Sequence, residues 1–264
     1  MSFFEQFARA IGKAVSGRPA PSVLNRQSIV PPQDSREESP AAEVLQRTPA
    51  TGLLVMIEYQ DASGQRSSRR VTVYEVREKN DHIYLHCYCH ERKAPRMFRM
   101  DRIAAVIDPH TGEVFGNPEA YFRQFDERPG PDDPYADQAK AFEMVAPGVL
   151  VLMSVAWADG QLHPSEAAVV ERYIDARLGR ASHARLRYDV GQVKKWALQR
   201  YPTPDIAHQA LDELLQFPTA ERKGLIDLIA EHAIELMNAH EGVQDAEFDA
   251  MKKALKGWGS LTRQ

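Results

Sequence analysis

Between residues 53 and 108 apolar and polar positions alternate with a period of two, and from about residue 137 the period lengthens to that of helices. Five strand-like segments stand out in the first region: 53–60 (LLVMIEYQ), 69–76 (RRVTVYEV), 82–90 (HIYLHCYCH), 96–100 (RMFRM) and 102–108 (RIAAVID). Turn chemistry separates them at Asp61-Ala62-Ser63-Gly64 and near Asn80-Asp81, which is hairpin spacing. Five short strands joined this way predict a small, strongly bent antiparallel sheet or barrel. A short helix is predicted over 117–125, with Pro118 near its start.

The second region predicts helices over 137–158, 164–178, 183–201, 204–216, 220–240 and 246–257. Their short connections favour antiparallel neighbours in a compact bundle. Pro147 is expected to kink or split the first of them. From Val149 to Ala158 that helix is apolar on every side, the pattern of a rod buried on all faces and too short to cross a bilayer. Gly160 ends it, Pro164 suits the first turn of the next helix, and Glu166 falls where an N3 acid caps it. Asp159 is out of place electrostatically, because a carboxylate at a helix C-terminus faces the negative end of the dipole. The arrangement recurs where Glu241 precedes Gly242 and Glu247 opens the next helix. Two helix pairs joined by acid-Gly turns suggest a duplicated helical domain.

The expected fold class is therefore α+β and multidomain: a small Sm-like or SH3-like β-barrel over 50–125, a linker over 126–136, and an all-α bundle over 137–259. Ahead of them, Phe3, Phe4, Phe7, Ala8, Ile11 and Val15 line one side of a short amphipathic helix at 1–15. That helix could meet a membrane surface or a partner groove, or pack back on its own domain. Residues 16–49 are rich in Pro, Ser, Gln and Arg and read as disordered linker, and 260–264 as a frayed tail. A net charge of -4 conceals a division, since the segment up to Phe125 is slightly basic and the remainder carries the acidic excess. Two cysteines, Cys87 and Cys89, exclude a disulfide framework and fit a reducing compartment. With no signal peptide or transmembrane run in view, a cytoplasmic location is expected, peripheral to the inner face of the membrane if the first helix meets lipid.

Candidate chemistry falls in three places. Arg66, Arg69, Arg70, Arg92, Lys93, Arg96, Arg99 and Arg102 lie on strands or turns that hairpin pairing can bring together, and guanidinium groups suit phosphate or carboxylate. Alternation puts Tyr84, His86 and Tyr88 on one face and Leu85, Cys87 and Cys89 on the other. With the second set in the core, the first offers an aromatic platform beside the arginines for a base or an anionic ligand. The candidate ligand-binding set is Arg69, Tyr84, His86, Arg96, Arg99 and Arg102. The competing account is a solvated face whose arginines pair with Glu75, Glu78, Asp101 and Asp108. The string His86-Cys87-Tyr88-Cys89-His90 does not make a zinc site, because thiols and imidazoles point to opposite faces.

The acidic turns are the other two places. Asp159, Glu166, Glu241 and Glu247 offer only oxygen, which suits calcium or magnesium. Local chemistry alone makes Glu166 and Asp245 helix caps and Asp159 a solvated turn residue. No nucleophile elbow, Walker loop or dinucleotide fingerprint occurs, so no enzyme activity is expected.

Two family resemblances add to this reading. The stretch 53–125 resembles the WYL domain through Ile57-x-Tyr59, Gly64, Arg69-x-Val71, Ile83-Tyr84-Leu85 and Arg96-x-Phe98-Arg99-Met100-Asp101-Arg102-Ile103. Ile83 stands where the family has its name-giving Trp, and Val73 where it often has Pro. The resemblance implies an Sm-like barrel that senses a ligand, commonly a nucleotide or nucleic acid, in bacterial regulators. No winged helix is expected within 1–49, so sequence-specific DNA reading is not. Ala158-Asp159-Gly160 with Glu166 resembles the first turn of the TerB-like family (tellurite-resistance protein B and relatives); the second turn departs, with Glu241 for Asp and one residue fewer before Glu247. That resemblance implies a stress-response module that holds a divalent cation or a protein partner, beside a barrel that takes an anionic small ligand or single-stranded nucleic acid. Two alternatives remain: a single-stranded nucleic-acid-binding protein that uses the basic barrel face, and a metal-dependent enzyme acting on a nucleotide.

Overall fold

The computed structural model describes residues 50–125, 134–157, 160–179 and 185–239. They fall into two compact units, one of strands and one of helices.

The first unit is a six-stranded antiparallel sheet of β1 (Leu54–Gln60), β2 (Arg66–Lys79), β3 (His82–Cys89), β4 (Ala94–Arg99), β5 (Ile103–Ile107) and β6 (Val114–Phe115). Its order is β4-β3-β2-β1-β5-β6. A 3-10 turn, Met100–Arg102, joins β4 to β5, and a short helix α1 (Pro118–Arg123) follows β6. The five expected strands are present; the two-residue β6 is an addition. Asn80 and Asp81 take φ of 52° and 59°, the backbone a tight two-residue hairpin needs. At the first hairpin, Asp61 Oδ1 accepts hydrogen bonds from Ser63 N, Ser63 Oγ and Gln65 N, and Gly64 supplies φ 84°.

Among the described residues β4 and β6 are the edges of the sheet, and the strand pairing there does not show barrel closure. The sheet nonetheless curls. In the sheet order β1 and β4 are three strand spacings apart, about 14 Å if flat. Yet the rings of Tyr59 on β1 and Phe98 on β4 meet edge to face with centroids 4.8 Å apart. Inside the curl sit Val55, Ile57, Val71, Val73, Leu85, Cys87, Cys89 and Phe98, with Tyr121 and Phe122 of α1 packed against them. A β-bulge between Val73 and Glu75 interrupts β2. An extra residue in one strand reverses the faces beyond it. Val71 and Val73 point inward before the bulge; after it Val76 packs on the core, whereas Glu75 and Arg77 take the outer face.

The second unit contains α2 (Gln138–Ala156), α3 (Pro164–Leu178), α4 (Val190–Leu198), α5 (Pro204–Gln216) and α6 (Thr219–Ala239). α2 packs against each of the other four, and every residue from Val145 to Ala156 is buried, as the all-round apolar pattern requires. By length and composition α2 could span a membrane, but 72% of its apolar window is buried among its neighbours, the condition of a core helix. Of the expected kink or split at Pro147, the split does not occur: α2 runs through Pro147 as one helix. Its missing N–H forgoes one bond to the preceding turn, a penalty of about 3 kcal/mol. Burial of several large side chains on all sides, at about 1.5–3 kcal/mol each, outweighs it. Gly148 beside it lets α3 approach closely, since a Cβ there would lie 2.0 Å from Tyr173 Oη.

α4 is shorter than the predicted 183–201. Asp189 caps it, accepting from the backbone of Gly191 and Gln192, and the described residues 185–189 before it are not helical. The expected helices over 1–15 and 246–257, the segment 16–49 and most of the 126–136 linker lie outside the described residues.

Candidate functional site

Strand register assembles the strongest candidate site. Arg77 on β2 pairs with Tyr84 on β3, and Tyr84 pairs with Arg99 on β4. Paired residues in antiparallel strands share a face, so the three form one rung, Arg77–Tyr84–Arg99, across the outer face of the sheet. The rung above it is Glu75–His86–Met97; below it lie Lys79 and His82. Tyr84 is half-buried, with an arginine paired to it on either strand, a combination suited to a flat ring carrying negative charge.

Both guanidiniums are engaged by carboxylates. Arg99 grips Asp101 with two bonds, Nη2 to Oδ2 at 2.6 Å and Nε to Oδ1 at 3.1 Å, and His82 Nδ1 lies 3.5 Å from the same Nη2. That contact holds the Asp101 carboxyl below the usual range and pushes Arg99 further toward its charged form. Arg77 Nη2 meets Glu75 Oε1 at 2.7 Å, and His86 Nδ1 is 3.4 Å from the same oxygen. Glu75 and His86 are both buried, and the imidazole stands edge-on to Tyr74 with centroids 5.5 Å apart. His86 Nε2 is buried without a hydrogen-bond partner.

The six sequence-predicted ligand residues do not form one set. Tyr84, His86 and Arg99 share the outer face. Arg102, on the 3-10 turn, adds its charge beside Asp101 and Asp61. Arg69 pairs with Ile57 and Arg96 with Cys87, which places both on the inner face with the core. Arg69 is only 8% exposed there. Arg70 is held by Glu91, with Nε to Oε1 at 2.7 Å. Arg77 was not among the predicted ligand residues, and unbroken alternation from Val71 would put it on the core face. The signal for it is the bulge, which no residue type in VTVYEV announces. The pairing of arginines with Glu75 and Asp101, the competing account, is present at both ends of the rung.

Cys87 and Cys89 are fully buried and face the core, away from His86 and His90, as alternation requires. Burial pushes the Cys89 thiol up, against hydrogen bonds from the Arg92 and Glu91 backbone and the charge of Arg69. No cluster of three or more His, Cys, Asp or Glu capable of holding a metal occurs among the described residues.

Of the four proposed cation ligands, only Glu166 is described. It is 1% exposed and accepts the His163 backbone N–H at 2.9 Å, so it caps α3. Asp159, Glu241 and Glu247 lie outside the described residues.

Comparison with known proteins bears on the strand unit. The family model of the WYL domain matches residues 40–107, about a quarter of the chain, a span that takes in β1 through β5 and the Arg77–Tyr84–Arg99 rung. No curated protein matches the chain. WYL domains are in general regulatory, ligand-sensing units, so the match supports a regulatory role for this one. It does not reach the helical unit, where the TerB-like resemblance rests on turn residues alone.

Proposed function

We propose that this chain is a non-enzymatic, cytoplasmic regulatory module whose strand unit binds an anionic ligand carrying a flat ring, a nucleotide or a single-stranded nucleic acid, on its outer face. The observation that carries the reading is the Arg77–Tyr84–Arg99 rung. Tyr84 offers a surface for stacking, worth about 1–3 kcal/mol per base, and the two guanidiniums take phosphate oxygens. In this reading the sheet works as the curled wall of an Sm-like barrel, and the TerB-like helical unit carries the response, through a divalent cation or a protein partner.

The test is a fluorescence titration with adenosine triphosphate and with a single-stranded oligonucleotide of about ten nucleotides, at two salt concentrations. Wild type should bind at least one probe, and Tyr84→Ala should weaken binding by roughly tenfold or more. A salt dependence amounting to several released counterions selects the nucleic acid; a shallow one selects the small ligand. Equal binding by wild type and Tyr84→Ala would overturn the reading.

A further inference from the structure

The two arginines of the rung are held in different ways, and the difference has a consequence for binding. Glu75 is buried, its side chain 5% exposed, and it is fixed between Arg77 and His86. It orients Arg77 and has little freedom to leave. Asp101 is 56% exposed and sits on the 3-10 turn only two residues from the arginine it holds. Its two oxygens occupy the Nε–Nη2 fork of Arg99, the same edge that a phosphate takes in bidentate fashion.

We infer that Asp101 is a tethered competitor: it occupies the anion's place on Arg99 in the empty protein, and a ligand binds by displacing it. The inference rests on the proposed function of the rung and concerns the regulation of that site. A carboxylate tied two residues away competes at a high effective concentration without needing a strong bond. Arg102 also acts electrostatically on Asp101, so the displaced carboxylate keeps a cationic neighbour. Met100 and Arg102 flank Asp101 in the turn, and Met100 is buried in the core of the unit. Displacement therefore alters a turn anchored in the core and packed on β3 and α1, which gives ligand occupancy a route into the fold.

The test compares wild type, Asp101→Asn, Arg99→Gln and the double variant in titrations with adenosine triphosphate and the oligonucleotide, with Glu58→Gln as a control for general charge. Asp101 and Arg99 are surface side chains, and a thermal melt of each variant checks that the fold is kept. The expected result is that Asp101→Asn binds roughly threefold to tenfold tighter than wild type, that Glu58→Gln changes affinity less than twofold, and that the gain vanishes in the Arg99→Gln background. If Arg99→Gln weakens binding while Asp101→Asn leaves it unchanged, the competitor is overturned and the site stands. A gain that persists without Arg99, or that Glu58→Gln reproduces, would show bulk charge at work and also overturn it. If neither wild type nor Asp101→Asn binds either probe, the binding site itself fails and the competitor with it.

Discussion

Gly148→Ala is the most sharply defined perturbation of the helical unit. Alanine is intrinsically the better helix former by about 0.8–1.0 kcal/mol, so an open site would gain stability. Gly148 is not open: its added Cβ would lie 2.0 Å from Tyr173 Oη, 2.4 Å from Tyr173 Cζ and 3.1 Å from Ile229 Cγ1. An ordinary contact is about 3.5–4.0 Å, so the ring must retreat by well over an ångström. Tyr173 is fully buried and its ring stands edge-on to His232, centroids 5.7 Å apart, so it cannot swing aside without disturbing α6. Overpacking of this kind costs about 1–3 kcal/mol, and the clash with two ring atoms places it toward the upper end. The net expectation after the propensity gain is a loss of roughly 1–2 kcal/mol. Urea unfolding followed by tryptophan fluorescence reads it directly, because all three tryptophans, Trp157, Trp196 and Trp258, follow the strand unit in the chain. The midpoint should fall with the slope unchanged. Tyr173→Phe should restore only part of the loss in the double variant, since Cζ remains too close. A Gly148→Ala protein as stable as wild type would refute the close approach of α2 and α3.

Other consequences follow from single side chains. Glu166→Ala should cost about 1–2 kcal/mol by leaving the His163 N–H unsatisfied, and the loss should be the same in calcium, magnesium or chelator, as thermal melts can show; a loss that appears only with cation would make Glu166 a ligand instead. Neither Cys87 nor Cys89 should react with an aromatic disulfide reagent in the native protein, and both should in denaturant; rapid native labelling would contradict their burial and the raised thiol of Cys89. Asp101 has a folded-state pKa below its unfolded one, so its contribution to stability is present above the unfolded carboxylate range and disappears as pH falls through the folded value. Asp101→Asn should therefore flatten the acid limb of the stability curve, by a small amount because the pair is exposed, and an unchanged limb would count against the Arg99 contact.

The parts of this architecture legible in sequence are those where one physical rule dominates. Period-two alternation fixed the inward turn of Leu85, Cys87 and Cys89, since no irregularity interrupts β3. The all-round apolar run of α2 identified the central helix, for only a helix contacted on every side can bury such a surface. Where local chemistry and tertiary packing pull apart, the sequence is a poorer guide. Pro147 is a helix breaker by local chemistry, and only the packing of four other helices around α2 overrides it. Arg77 is inward by alternation and outward in fact, because a bulge in β2 depends on the partner strands rather than on the residues that form it. Arg69 and Arg96, counted with the ligand residues by type, lie on the inner face because each stands two residues before a core residue of its strand, Val71 and Phe98.

The account turns on which face of the sheet meets the ligand. Amide chemical-shift mapping of the isotopically labelled chain with adenosine triphosphate, and separately with the oligonucleotide, answers this residue by residue. The rung predicts that the largest changes fall on Arg77, Tyr84, His86 and Arg99 and on the 3-10 turn at Asp101. Changes centred instead on Arg69 and Arg96, with Tyr84 and Arg99 unmoved, would contradict it.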